Sequence, residues 1–138
     1  MSVRLKLEWK GVDALMRHLE KTMPDAFDQS MTDAMEETAQ LGKERARELV
    51  PVDTGALKNS IRVERFATPA GYITYTGIRA GGYIRNPRTN KLVDYASYVE
   101  YGTSRQRPQP YLRPAVEYAM KRLPDLFWRK LSRRVNVL

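Results

Sequence analysis

The sequence contains no cysteine and a single histidine, and both features remove classes of function. Without cysteine the chain cannot form a disulfide, a thiolate zinc site or a cysteine nucleophile. A Ser-His-Asp triad would have to use His18, which has no companion metal ligand or base at helical spacing. Thr54 and Ser60 also lack an evident neighbouring base. We therefore expect no catalytic residues, no metal site and no cofactor, and hence no enzyme.

Long apolar runs are also missing. The longest contain only a few residues, far short of the ~20 that span a bilayer. Charges interrupt the apolar residues of the first nine positions, which is unlike a signal peptide. We therefore expect no membrane partner. The length of 138 residues and the 42% hydrophobic content predict a single globular domain over 1–138 that is kept in the cytoplasm.

Acidic residues are scarce in the second half of the chain. Residues 1–69 hold 11 Lys or Arg and 12 Asp or Glu, whereas residues 70–138 hold 13 and 4. All of the excess of basic over acidic residues, which gives the chain its net charge of +8, therefore lies after residue 69. Such an asymmetry indicates either a polyanion or acidic protein surface as a partner, or a face that only keeps the protein soluble.

The hydrophobic periodicity predicts an α+β fold. Alternation over 2–9 indicates an N-terminal strand, and helical spacing indicates a short helix over 12–23 and a long helix over 24–50. Two further strand-like stretches, 61–66 and 72–78, predict an antiparallel hairpin. The predicted buried face of the long helix consists of Phe27, Met31, Ala34, Met35, Thr38, Leu41, Ala46 and Leu49.

The remaining segments predict connections and a last helix. Residues 79–94 are typical of a long hairpin arm or of a loop that orders on binding. Residues 95–101 suit a short helix with Glu100 exposed, which Gly102 would end. Pro114 suits the first turn of a C-terminal helix. Residues 124–138 form a basic helical tail, beginning at a proline that should kink or restart the helix.

Two stretches carry a resemblance to a known family. The first, "VPVDTGALKNSI", predicts a helix–strand corner in which Asp53 and Thr54 cap a turn and Gly55 allows a tight backbone. The second, "YASYVEYGTSRQRPQPYLRPA", contains Gly102 and Pro114. Found in this order, the two stretches resemble the lambdoid gene product ten-like tail-completion or neck proteins of long-tailed, double-stranded DNA phages.

The resemblance implies a structural virion protein without catalysis. Its members act at the head–tail junction, so the chain would complete the tail end, or connect it to the head-side neck, by ring assembly. The implied partners are further copies in a ring of six, neighbouring neck, head-closure, tail-terminator or tail-tube proteins, and passing double-stranded DNA without sequence specificity. The implied location is the virion, after assembly in the host cytoplasm. A tail terminator that caps the tube, and more distantly a non-specific nucleic-acid-binding protein, remain alternatives.

The second stretch also suggests an interaction surface. Tyrosines are amphipathic and favour interfaces, and arginines flank this segment on both sides. The alternative is a simple connection between two helices with its tyrosines packed inside. The candidate interface residues are Arg79, Arg85, Arg88, Lys91, Tyr98, Glu100, Tyr101, Arg105, Arg107 and Tyr111.

Overall fold

The fold is built around one long helix, α1 (Pro24–Leu49). The computed structural model describes residues 3–6, 17–18, 21–67 and 73–135. Side chains are described for 17–18, 21–65 and 76–135. Most of the predicted short helix over 12–23 lies outside the described residues. The further elements are β1 (Val3–Lys6), α2 (Ala56–Ser60), β2 (Arg62–Ala67), β3 (Ile73–Ala80), α3 (Ala96–Tyr101), α4 (Leu112–Met120) and α5 (Leu123–Val135).

Helix α1 confirms the predicted long helix almost to the residue. Pro24 stands in its first turn, where the missing N–H costs nothing, and Asp25 there complements the helix dipole. The helix ends where Val50 becomes extended ahead of Pro51. Leu49, which was predicted to be buried, is 37% exposed, so Ala46 is the last buried residue of the helix.

The hairpin of β2 and β3 is confirmed as antiparallel, with Val63 opposite Ile78. β3 is the central strand, because β1 pairs along its other edge with Val3 opposite Ala80. The observed fold is therefore a mixture of helices with an antiparallel sheet, in agreement with the predicted α+β class.

Two hydrophobic clusters share α1. The first lies at the C-terminal half of the helix and includes Ile61, Ile78 and Leu112. The second lies between the N-terminal half and α5, where the rings of Phe27 and Phe127 meet edge to face with centroids 5.4 Å apart. Helix α5 begins as a separate helix at Leu123, so the chain restarts next to Pro124 as the sequence indicated.

The buried face of α1 is built largely from small residues, which lets the helix approach its neighbours closely. Ala34, Ala39 and Ala46 are all fully buried, and Gly42 lies between them. A Cβ atom on Gly42 would lie 2.6 Å from Ile78 Cδ1 and 3.4 Å from Ala119 Cβ. The sheet and α4 therefore meet α1 at a point where an added Cβ atom would displace the end of the Ile78 side chain.

Replacing Gly42 by leucine should overpack this crossing and lower the free energy of unfolding by about 1–3 kcal/mol. The better helix propensity of leucine works against this loss by only ~1 kcal/mol. Urea unfolding would measure the change, with Glu44→Leu as the matched control, since Glu44 is exposed on the same helix. Equal stability of Gly42→Leu and the wild type would contradict the close approach.

Candidate functional site

The corner after α1 is fixed by side chains of the first stretch. Gly55 has a φ of +83°, which favours glycine, and precedes α2. The Ala56 N–H donates to Thr54 Oγ1 at 3.3 Å, so Thr54 supports the turn as predicted. Ser60 is buried, where its hydroxyl donates to the Leu57 carbonyl at 2.6 Å and accepts from the Gly81 N–H at 2.8 Å. The corner is thereby tied to the start of the 79–94 segment.

Asp53 supports the corner through an ion pair rather than a cap. Both of its carboxylate oxygens accept from the Arg88 guanidinium, each at 2.9 Å. Both side chains are largely exposed. This bidentate contact joins the corner to a residue 35 positions further along the chain.

Residues 79–94 form a short hairpin with backbone bonds across it. The Gly82 N–H donates to Val93 O, and the Val93 N–H donates to Ile84 O, both at 2.9 Å. Val93 is buried and Ile84 packs against the first hydrophobic cluster. The far end is exposed, and the Arg88 N–H donates there to Asn86 Oδ1 at 2.9 Å. The base of the segment therefore belongs to the core, while its tip carries the basic side chains.

The chain after α3 folds back onto that helix. Gly102 has a φ of +75°, and a Cβ atom there would lie 2.7 Å from Pro108 N, so the helix stop requires glycine. Thr103 Oγ1 accepts from the Gln106 N–H at 3.1 Å. The Gln109 N–H donates to Val99 O at 2.8 Å. The connection over 102–110 is therefore anchored on α3 rather than extended away from it.

Glu100 is buried, although it was predicted to be exposed. Only 2% of the residue is accessible to solvent. Its Oε2 accepts from the N–H groups of Tyr111 and Leu112 at 2.8 and 2.9 Å, and its Oε1 accepts from the Arg113 N–H at 2.9 Å. Pro114, the next residue, has no N–H. One carboxylate thus satisfies the free donors at the start of α4, where its charge also complements the helix dipole.

Tyr111 is likewise interior and does not form part of an exposed surface. Its side chain is fully buried, and its hydroxyl donates to the Ala96 carbonyl at 3.1 Å. Burial, reinforced by the Glu100 charge, raises the pKa of Tyr111 well above its ordinary value. The interface role predicted for Glu100 and Tyr111 is therefore corrected, since both hold the segment together from inside.

The basic candidates divide into two groups. Arg79 is half-buried on β3 and pairs with Glu64 at 3.0 Å. The others remain on the surface together with two of the three tyrosines. These exposed candidates are Arg85, Arg88, Lys91, Tyr98, Tyr101, Arg105 and Arg107.

A groove of about 420 Å³ lies between the two recognised stretches. The corner contributes one wall, and α3 with its following connection contributes the other. Val52 and Tyr98 are the most exposed apolar side chains in it, at 62% and 48%. Val52 was not among the predicted interface residues, because a single apolar side chain in a turn is common at protein surfaces.

The groove lining consists of Pro51, Val52, Asp53, Thr54, Gly55, Leu57, Lys58, Tyr95, Tyr98, Val99, Thr103, Gln106 and Gln109. Its volume falls within the ~300–1,000 Å³ of ligand sites. Within the described ranges, no cluster of three metal-ligating side chains occurs. In the same part of the chain, no helix is both long and apolar enough to cross a membrane.

A family model matches a range of the chain that includes the whole first stretch and the start of the second. Residues 13–102 match the family model described as "Bacteriophage HK97-gp10, putative tail-component". The chain therefore belongs to the HK97-gp10-like family of phage tail components. No curated protein and no solved structure matches the chain. The matched range contains the corner and α3, whereas the 103–110 side of the groove lies beyond it.

Replacing Glu100 by glutamine should lower the free energy of unfolding by about 1.5–3 kcal/mol, the range for hydrogen bonds to a charged group. The amide keeps one acceptor oxygen but turns an NH₂ group toward backbone donors. Urea unfolding measures the loss. Glu117→Gln, on the exposed side of α4, is the matched control and should change stability by less than ~0.5 kcal/mol. Equal effects of the two substitutions would contradict the capping role.

Stability should fall as the pH rises above the ordinary tyrosine pKa of about 10. Because the pKa of Tyr111 is raised in the folded state, the unfolded chain releases this proton first, which favours unfolding at alkaline pH. Tyr111→Phe removes that contribution, so the stability gap between wild type and variant should narrow between pH 8 and 11. Unfolding curves in urea across this range would show it, and parallel pH profiles would contradict it.

Proposed function

We propose that the protein is a structural component of the phage head–tail junction, which completes the tail end or connects it to the head-side neck by ring assembly. Membership of a family of phage tail components supports a role in the virion. The groove between the two stretches supports a docking role, because it has exposed apolar side chains and exposed basic neighbours. Such a surface serves docking to another protein rather than catalysis.

The basic residues beside the groove support an assembly role because their stabilising value within the chain is small. Arg105 and Arg107 are exposed, and no carboxylate partner is found for them among the described residues. Even the exposed Arg88–Asp53 pair is typical of contacts worth less than ~1 kcal/mol. Exposed charges act instead on the rate and specificity of association with an oppositely charged surface.

Ring assembly follows from the construction of phage tails. A ring closes through heterologous contacts, in which one face of a copy meets a different face of the next. The resemblance to tail proteins suggests six copies, with double-stranded DNA passing through the lumen. The protein would then reside in the virion at the upper end of the tail, having been assembled there in the host cytoplasm.

Replacing Arg85, Arg88, Arg105 and Arg107 together by glutamine should leave the fold intact and reduce the joining of heads to tails. The melting temperature checks the fold, and complementation of a phage lacking the protein checks joining, with free heads and free tails counted by electron microscopy. Head–tail joining should fall because the attraction to an acidic partner surface weakens when the basic charges are removed.

A matched control removes the same amount of charge elsewhere. Lys121, Arg122, Arg129 and Arg133 are exposed on or next to the last two helices. Their joint replacement by glutamine should leave joining close to the wild-type rate. Equal loss of joining in both variants would indicate that net charge alone matters. Normal joining by the first variant, with loss of DNA retention by the purified protein, would favour nucleic-acid binding instead.

A further inference from the structure

The groove offers an apolar slot flanked by amide groups. Val52 on the corner wall and Tyr98 on the α3 wall are both about half exposed or more and line the same groove. Exposed apolar side chains that share a concave surface are typical of a binding site. Gln106 and Gln109 also line the groove. Amide side chains provide both donors and acceptors, so they can bind the backbone of an inserted peptide.

The electrostatic surroundings of the slot are positive. The one lining carboxylate, Asp53, is neutralised by Arg88, whose guanidinium lies at 2.9 Å from both oxygens. Lys58 is the lining cation. Arg105 and Arg107 are exposed on the connection that supplies the glutamines. A ligand that carries carboxylates beside an apolar group therefore complements this groove.

Another copy of the chain complements this groove less well than an acidic segment does. Of the seven acidic residues of α1, four pair within the fold: Asp33 with Arg134, Glu36 with Arg65, Glu37 with Lys130 and Glu48 with Arg45. The whole chain carries a net charge of +8, which disfavours a second copy at this positively charged groove relative to an acidic partner. These charges favour a different, acidic protein as the occupant of the groove.

We propose that the groove binds a short acidic segment of a different protein of the particle. An apolar side chain of that segment enters between Val52 and Tyr98, and flanking carboxylates meet Lys58, Arg105 and Arg107. The glutamines bind its backbone. This assignment rests on the proposed docking function, for which it names the contact face and the chemistry of the partner.

The test uses the purified full-length protein and a short synthetic peptide in which glutamates alternate with leucine and phenylalanine. Calorimetric titration at low ionic strength should show saturable binding that weakens as salt is added. The same peptide with lysines in place of the glutamates should not bind. Tyr98→Ser and Val52→Gln should each weaken binding by about tenfold, as expected for truncation of an apolar anchor.

Matched variants separate the groove from the rest of the surface. Tyr118→Ser removes a tyrosine that is 38% exposed on α4, outside the groove lining, and should leave the peptide affinity unchanged. Arg105→Gln with Arg107→Gln should reduce both the affinity and its dependence on salt. Unchanged melting temperatures would show that the variants fold normally.

Several results would overturn the assignment. These are equal binding of the lysine peptide, unchanged affinity in Tyr98→Ser, and displacement of the peptide by a short DNA duplex. Sedimentation that shows self-association abolished by Tyr98→Ser would identify a second copy as the occupant. If the peptide fails to bind while the four-arginine variant still blocks joining, the docking function stands and the groove assignment alone falls.

Discussion

The candidate site depends on the hydrogen bonds that the buried carboxylate of Glu100 accepts. Glu100 lies near the end of α3, and its three acceptor bonds reach the start of α4. The hydroxyl of Tyr111, the residue that precedes α4, donates to the carbonyl of Ala96 at the start of α3. The proline-containing connection between the two helices is therefore fixed at both ends. A buried charge is tolerated here because backbone donors and a helix dipole replace its lost hydration.

The fixed connection gives the groove a stable second wall. Gly102 directs the chain back over α3, and the bond from the Gln109 N–H to Val99 O holds it there. The opposite wall is held independently by Thr54 and by the Ser60 hydroxyl. Two stretches that are distant in the chain thus face each other across one groove.

Local patterns predicted the fold better than the site. The spacing of apolar residues and the proline at each end predicted α1, and alternation predicted the β2–β3 hairpin, because these signals act between residues close in sequence. The location of Glu100 could not be predicted in this way. A glutamate in a short helix is usually solvated, and its partners lie 11 to 13 positions away. The Arg88–Asp53 pair is equally non-local, whereas the stop at Gly102 followed from local chemistry alone.

The division of the interior into two clusters has a consequence for how the protein withstands heat. The cluster formed by α5 and the N-terminal half of α1 shares none of its buried residues with the cluster beneath the groove. Partial unfolding that is confined to the C-terminal helix would therefore leave the residues beneath the groove packed, and the groove would keep its shape.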